Sequence, residues 1–331
     1  MTATSASPDH AAVRPDHAIG RWLTSVFPDG EAIEGEAPLE FVAETADPPK
    51  LAQATVIEGG DLRAIAVRGE PQVAIAAFLD GRQQSTVKMY RPGGVPIVAG
   101  TIGAVIRERR DRRMFTRSHR VDQRIYVPAR YLSASDRRAL DASGAHVRDT
   151  TAGAAEAIEH PLALRELARN LVRNDRESLE HALAQQWCAA ETRPLLIDGG
   201  ISAAQPIARS ACAIGVVKSH RTLYVQGDAV HVTLGLDVAQ RTSVFSITPE
   251  KRAPVASWYL RLRDRVGRDP MWGLVRVEVS APSGRDDIGA RADEVSRWIL
   301  AEAAPLALPD ARWDKMVYGV RDCEEFLRAV M

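Results

Sequence analysis

Two apolar stretches of this chain each run into an Asp-Gly pair. The first spans residues 73–79 and continues into Asp80-Gly81, and the second spans residues 194–197 and continues into Asp198-Gly199. Apolar runs of this length, bounded by turn residues, are typical of buried central strands. The pattern therefore predicts two core strands, each with a carboxylate at its exit.

Between these two strands the pattern of apolar positions changes from strand to helix. Residues 84–90 and 95–106 alternate like strands and flank a turn at Pro92-Gly93-Gly94. Residues 162–188 carry apolar side chains at helical spacing. Because a long helix precedes the second Asp strand, we expect that strand to pair in parallel with another.

The second half of the chain is predicted to be mostly strand. The remaining predicted elements are a helix at 18–27, a strand pair within 55–67, strands at 211–218, 222–225, 231–236, 242–247, 258–262 and 273–279, and helices at 286–304 and 321–330. This order indicates an α/β fold, a mixed sheet with flanking helices that resembles the ribonuclease H-like arrangement. In that arrangement the first and fourth strands are parallel neighbours, which would bring Asp80 and Asp198 together.

Composition places the chain among ordinary globular proteins. It has 331 residues, 45% hydrophobic and 26% charged, with a net charge of zero. We expect residues 1–17 to be disordered, residues 1–70 to serve dimer or partner contacts, and residues 71–331 to form the main domain. The three cysteines match no zinc spacing, and neither a signal peptide nor an apolar run of about 20 residues occurs, so a cytoplasmic protein without membrane association is predicted.

Charge is distributed unevenly along the neutral chain. Residues 28–61 are rich in Asp and Glu, whereas residues 107–120 are rich in Arg. A basic stripe of this kind is either a surface that follows phosphates or a solvated helix face of mixed charge.

Carboxylates are the candidate chemistry. Hard divalent cations take about six oxygen ligands, and two ions about 4 Å apart can hold the attacking and leaving oxygens of a phosphodiester. Beside Asp80 and Asp198, a third acid is expected from the long helix: Glu180 is preferred and Glu177 is the alternative, although an exposed ion pair would also account for either. A fourth acid is expected from the C-terminal segment, among Asp310, Asp314, Asp322, Glu324 and Glu325.

Several cationic and aromatic side chains suit a polyanionic substrate. They occur at strand exits or on one alternating strand face, where Arg and Lys would neutralise phosphates and aromatic rings would stack on bases. His220 is either a general acid–base or a structural hydrogen-bond partner. The candidates are Lys218, His220, Arg221, Arg241, Tyr259, Arg261 and Arg263.

A series of motifs resembles bacterial members of the NurA nuclease family. The motifs, in order, are Phe78-Leu79-Asp80-Gly81, Leu195-Leu196-Ile197-Asp198-Gly199-Gly200-Ile201, Gly215-Val216-Val217-Lys218-Ser219-His220-Arg221-Thr222, Arg241-Thr242-Ser243-Val244-Phe245, Ser257-Trp258-Tyr259-Leu260-Arg261-Leu262 and Trp272-Gly273-Leu274-Val275-Arg276-Val277-Glu278. The resemblance covers roughly residues 73–331.

The resemblance implies a ribonuclease H-like nuclease core with manganese-dependent, or magnesium-dependent, DNA end processing. It also implies a homodimer and a HerA-type hexameric DNA-translocating ATPase as partner. By the same resemblance, Asp80, Glu180 and Asp198 match the metal-binding acids and Tyr259 matches a tyrosine near the metal. The late His of the archaeal members is missing here, so a C-terminal carboxylate such as Asp310 is expected to replace it, with Asp314 and Glu324 as alternatives.

Two other functions stay open on sequence grounds. One is a catalytically weak adaptor that docks on an ATPase and guides DNA. The other is a ribonuclease H-like nuclease directed at RNA, because contacts to the 2′-hydroxyl cannot be read from sequence. No Gly-x-x-x-x-Gly-Lys-Ser/Thr loop occurs, so any ATP dependence would come from a partner. A repair role and a phage-defence role are both compatible with the motifs.

Overall fold

The computed structural model describes residues 16–32, 48–111, 113–153, 157–158, 160–248, 252–281, 288–303 and 317–331. Its elements in chain order are α1 (Asp16–Val26), β1 (Glu31–Ala32), β2 (Lys50–Leu51), β3 (Thr55–Val56), β4 (Ala64–Ala66), β5 (Ala77–Arg91), β6 (Val95–Arg110), β7 (Arg113–Val127), a 3-10 turn (Ala129–Tyr131), α2 (Ala134–Ala142), β8 (Val147–Asp149), α3 (Pro161–Ala190), β9 (Leu195–Asp198), α4 (Gln205–Ala208), β10 (Ala213–Val217), β11 (Thr222–Leu223), α5 (Asp228–Leu234), β12 (Gln240–Thr242), β13 (Phe245–Ile247), β14 (Val255–Arg261), β15 (Leu274–Ser280), α6 (Ile288–Glu302) and α7 (Tyr318–Val330).

Five strands at the centre of the sheet have the ribonuclease H-like order. Strands β5, β6 and β7 form an antiparallel meander, β9 lies parallel to β5, and β10 lies parallel to β9. The 30-residue helix α3 supplies the long crossover that a parallel neighbour requires. The predicted α/β class, with a mixed sheet and flanking helices, is confirmed, as is the parallel pairing of the two Asp strands.

Helices cover both faces of this sheet. Leu79 and Ile197 belong to the apolar cluster under α3, whereas Phe78 and Leu196 belong to the cluster under α6 and α7. Side chains alternate between the faces of a strand. Asp80 and Asp198 therefore lie on the α7 face, one residue beyond the apolar pairs that pack under α3.

The first Asp strand is longer than predicted. Strand β5 continues through Asp80 and Gly81, which pair with Val105 and Ala104 of β6, as far as Arg91. The prediction that Asp80 lies at the exit of its strand is therefore wrong: the Asp-Gly pair lies inside a 15-residue strand, because β6 pairs with the backbone on both sides of it.

Other predictions from local sequence also differ from the structure, because contacts with distant segments determine these elements. Residues 231–236, predicted as a strand, begin inside helix α5, because β-branched composition alone does not supply a strand partner. Strands β3 and β4 do not pair with each other; they pair with β13 and β12 and so extend the main sheet. The Arg-rich segment 107–120 is not a helix face and forms the ends of the β6–β7 hairpin. The predicted division near residue 70 stays a prediction.

Among the described residues, no helix is long and apolar enough to cross a bilayer.

A close contact at Gly319 fixes the position of α7 on the sheet. A methyl group at this position would overlap the Phe78 ring. We expect Gly319→Ala to lower the free energy of unfolding by about 1–3 kcal/mol, the usual cost of overpacking. Gly20→Ala is the matched control, since that helical glycine has no atom within 4 Å of an added Cβ and Ala favours helix by up to about 1 kcal/mol. Denaturant unfolding measures both, and equal effects would contradict this packing argument.

Candidate active site

Three carboxylates meet at the carboxyl end of β9. Asp80 of β5, Asp198 of β9 and Glu324 of α7 each offer an oxygen, and these oxygens all lie within 4.8 Å of one another. Parallel pairing of β5 with β9 brings the two aspartates together. Helix α7 then crosses the same face and adds the glutamate.

Several contacts hold α7 where Glu324 can reach the aspartates. The Cys323 Sγ donates to the Phe78 carbonyl oxygen at 3.4 Å, and Arg107 Nε donates to Asp322 Oδ1 at 2.6 Å. Both contacts are made by the two residues that directly precede Glu324 in the chain. The third carboxylate is thus fixed by long-range contacts of α7 with β5 and β6.

Hydrogen bonds orient the two aspartates. Lys218 Nζ donates to Asp198 Oδ2 at 3.0 Å, and the backbone N–H of Gly81 donates to Asp80 Oδ1 at 2.8 Å. Lys218 follows directly after β10, the parallel neighbour of β9. The structure therefore places the predicted Lys218 beside the predicted Asp198, as a charge-assisted contact.

Electrostatics make this cluster favourable for a cation. Burial, and then the charges of Asp198 and Glu180, raise the pKa of Asp80 well above its usual range, with Lys218 opposing them. A cation would offset this crowding of negative charge. Three carboxylates without a soft ligand are the donor chemistry that Mg²⁺, Mn²⁺ and Ca²⁺ prefer, so the residues fit a hard divalent ion.

Glu180 approaches from the other side of β5. Its carboxylate lies against Gly81, where a Cβ would overlap it, and forms an ion pair with Arg176. Arg176 Nε also donates to Gln83 Oε1 at 3.1 Å. Burial raises the pKa of Glu180 to about 7, against the lowering effect of Arg176. Glu177, the alternative, is 44% exposed.

Glu324, rather than Glu180, completes the group of three carboxylates. The charge of Glu180 raises the pKa of Asp80, but the Glu180 carboxylate is not one of the three that converge. Its assignment as a metal ligand stays a prediction. Asp310, expected to be the fourth ligand, lies outside the described residues together with Asp314, and Glu324 comes from the same set of alternatives.

A cleft of about 570 Å³ opens over the carboxylates. Four cationic side chains line it: Arg82, Arg176, Lys218 and Arg328. Sequence reasoning assigned no role to Arg82 or Arg328, although Arg82 follows Asp80 by two residues on a strand and Arg328 follows Glu324 by four on a helix. Each spacing places the arginine on the same face as the carboxylate, so the sequence alone could have indicated both arginines as site residues. Within the described part of the chain, the buried Nε of Arg82 has no hydrogen-bond partner.

Three predicted nucleic-acid contacts are corrected by the structure, because their side chains are buried. Arg241 is 1% exposed and forms ion pairs at 2.7 Å with Glu58 and Asp293. Arg261 donates to backbone carbonyls, including those of residues 234, 236 and 270, and the Tyr259 hydroxyl accepts from the backbone N–H of residue 224. The side chains of β14 alternate between the two faces of the strand as predicted, but all seven residues are buried, so neither face is exposed to solvent.

The other predicted contacts lie outside the carboxylate cluster. The His220 Nε2 is 2.7 Å from the Leu274 carbonyl oxygen, which favours its structural interpretation. Arg263 donates to the Ala303 carbonyl oxygen, and Arg221 is exposed. The described lining of the cleft includes none of these three. Their nucleic-acid contacts stay predictions.

Comparison with known proteins finds structural similarity at low sequence identity. No protein-family model and no curated protein sequence matches this chain. The crystal structure of the NurA nuclease from Sulfolobus solfataricus is similar over 79% of this chain and 86% of that chain, with a TM-score of 0.42 and 10% identity. The catalytic domain of human endonuclease V is similar over 96% and 98% of the two chains, with a TM-score of 0.30 and 14% identity. Any function therefore has to follow from the geometry of this chain's own site.

Without divalent ions, stability should fall as pH rises. The folded pKa of Glu180, about 7, exceeds the ordinary 4.5, and that of Asp80 is raised in the same direction. The folded state thus binds these protons more tightly, and the stability they contribute is present below about pH 4.5 and lost as pH rises through about 7. We expect a lower melting temperature in EDTA at pH 8 than at pH 5.5.

Asp80→Asn is the matched variant for this measurement. Removing the crowded charge should raise the unfolding free energy at pH 8 by on the order of 1 kcal/mol, since one pKa unit is worth about 1.4 kcal/mol. The variant should also show a weaker pH dependence. A variant that melts below the wild type at pH 8 would be incompatible with carboxylate repulsion in the folded state.

Proposed function

We propose that this chain is a metal-dependent nuclease that hydrolyses phosphodiester bonds in DNA. The observation that carries the proposal is the convergence of Asp80, Asp198 and Glu324 in a cleft lined by four cations. Converging carboxylates bind cations, whereas Arg and Lys bind phosphates. A site that combines them suits a polyanion that meets a divalent ion.

The three carboxylates would hold the ion. The motif resemblance favours Mn²⁺, and Mg²⁺ has the same ligand preference. When bound, such an ion polarises a phosphoryl oxygen and lowers the pKa of water, which is the chemistry that phosphodiester hydrolysis needs. Glu180, near enough to raise the pKa of Asp80, is proposed as a further acid of the set.

The remaining side chains of the cleft position substrate and ligands. Lys218 orients Asp198 through its 3.0 Å hydrogen bond. Arg82, Arg176 and Arg328 come from three different elements and line the same cleft, so they would bind phosphates on either side of the scissile one. An extended strand with repeating phosphates matches this arrangement better than a single phosphate does.

The proposal extends to the partners that the motif resemblance implies. The chain would act as a homodimer with a HerA-type hexameric ATPase, in DNA repair or phage defence, with residues 1–70 contributing to dimer or partner contacts.

The nuclease proposal is tested with the purified full chain and labelled DNA in Mn²⁺, Mg²⁺ or EDTA. We expect cleavage only with a divalent ion, and a loss of at least about 100-fold in Asp80→Asn, Asp198→Asn and Glu324→Gln, because each removes a negatively charged ligand that would hold the ion and, with it, the stabilisation of the transition state that the ion supplies. Glu325→Gln is the matched control: it neighbours Glu324 on α7, but its carboxylate pairs with Arg321 at the surface. That variant should keep wild-type activity.

Two results would redirect the assignment. Faster cleavage of an RNA of the same sequence would favour an RNA-directed nuclease. An inactive wild type, even with its ATPase partner present, that binds no Mn²⁺ by calorimetric titration would favour the adaptor function.

Phosphate contacts of Arg82 and Arg328 are tested separately by DNA binding in EDTA. Each Gln substitution should weaken binding of a fluorescent oligonucleotide several-fold and reduce the slope of log affinity against log salt by about one unit. Arg138→Gln, an exposed arginine on α2, is the control that should leave both values unchanged. Unchanged salt slopes in the Arg82 and Arg328 variants would remove these residues from the binding surface.

A further inference from the structure

Two cysteines far apart in the chain lie in contact beneath the sheet. The Sγ atoms of Cys188 and Cys212 are 3.5 Å apart, and Ser210 Oγ is 3.2 Å from Cys212 Sγ. Both cysteines pack with the apolar cluster under α3. Cys323 lies in the cluster on the opposite face of the sheet, so it cannot join this pair.

The two thiols belong to elements that differ in their freedom to move. Cys212 directly precedes β10, and its carbonyl oxygen accepts from the Leu195 N–H at 2.9 Å, which fixes it to β9. Cys188 lies in the last turn of α3, where helices open most easily. A disulfide requires about 2.05 Å between sulfurs, so an approach of about 1.5 Å at the end of α3 would suffice.

The environment also differs between the two sulfurs. Cys188 is partly exposed and Cys212 is buried, so a small reagent reaches the pair from the Cys188 side. The hydrogen bond between them lowers the pKa of Cys212 to about 6 and raises the pKa of Cys188 above its usual value. A proton shared between the two sulfurs leaves thiolate character within the pair, and the thiolate is the form that reacts with oxidants.

We propose that Cys188 and Cys212 are a redox-active dithiol that hydroperoxides convert to a disulfide joining α3 to β10. In the first step the thiolate of the pair attacks a peroxide oxygen, the O–O bond breaks, and that sulfur becomes a sulfenic acid while hydroxide, or the alkoxide of an organic hydroperoxide, leaves. In the second step the thiol of the other cysteine attacks the sulfenic sulfur, and the departing hydroxyl takes the thiol proton as water. The peroxide is reduced by two electrons in all, and a dithiol reductant reverses the change.

The bond would tie together two elements that approach the carboxylate cluster. It closes residues 188–212 into a loop that contains β9 and Asp198, and Cys188 follows Glu180 on α3 by about two turns. Crosslinking restricts the unfolded chain. Oxidation should therefore stabilise the fold, and this inference does not depend on the proposed nuclease activity.

Thiol counting on the full chain tests the proposal. In denaturant, the reduced protein should alkylate at three cysteines and the protein oxidised with hydrogen peroxide at one, Cys323. The oxidised protein should be about 2 Da lighter than the reduced one, with the Cys188 and Cys212 peptides linked, and dithiothreitol should restore all three thiols. The melting temperature of the oxidised protein should be about 3 °C or more above that of the reduced protein. A crosslink that closes a loop of this length lowers the conformational entropy of the unfolded chain enough for a shift of this size.

Cys188→Ser supplies the matched control. It should lose both the linked peptide and the rise in melting temperature on oxidation. Three alkylated thiols after peroxide, a link to Cys323, irreversible oxygen adducts in place of the link, or a lower melting temperature of the oxidised wild type would each overturn the proposal. The thiol count on the wild type decides the matter even where the Ser variant fails to fold.

Discussion

The parallel pairing of β5 with β9 is the contact on which the rest of this site depends. Phe78 lies opposite Leu196 and Leu79 opposite Ile197, so the apolar side chains of the two strands match face by face. One residue further, the same register brings Asp80 and Asp198 together on one face. A slip of one residue would put the two carboxylates on opposite faces and expose the apolar pairs. The apolar packing that fixes the register of β5 against β9 therefore also brings Asp80 and Asp198 close together.

That crowding is unfavourable for the folded chain by itself. Burial and two neighbouring carboxylates raise the pKa of Asp80, and burial raises that of Glu180. The apolar clusters on both faces of the sheet offset this repulsion. Two glycines let the carboxylates approach: Gly81 leaves room for Glu180 from α3, and Gly319 lets α7 settle on Phe78. Stability and site geometry therefore oppose each other at the same strand.

Arginines in this protein serve two different purposes. Arg82, Arg176 and Arg328 line the cleft, whereas Arg241 and Arg261 lie in the interior with their donors bound to carboxylates or carbonyls. Removing a partner of a buried charge costs several kcal/mol, so such arginines organise the fold around β12 and β14. A basic residue near a motif is therefore informative about nucleic acid only once its exposure is known.

Local sequence determined the elements whose signal is contained within one segment. The apolar runs before Asp80 and Asp198 and the periodicity of α3 depend on near neighbours in the chain. Their order was enough to indicate a ribonuclease H-like sheet and to pair the two aspartates, because a long helix between strands requires a parallel crossover.

Tertiary structure decided what depends on residues distant in sequence. Only the packing of α7 selects Glu324 from several C-terminal acids, and only the partner strand β6 makes the Asp80-Gly81 pair part of a long strand. Burial of both faces of β14 and the contact of Cys188 with Cys212 are likewise long-range outcomes. Periodicity along a segment cannot reveal what another segment will cover, and that is the physical reason why the sequence located the strands of this site but not all of its side chains.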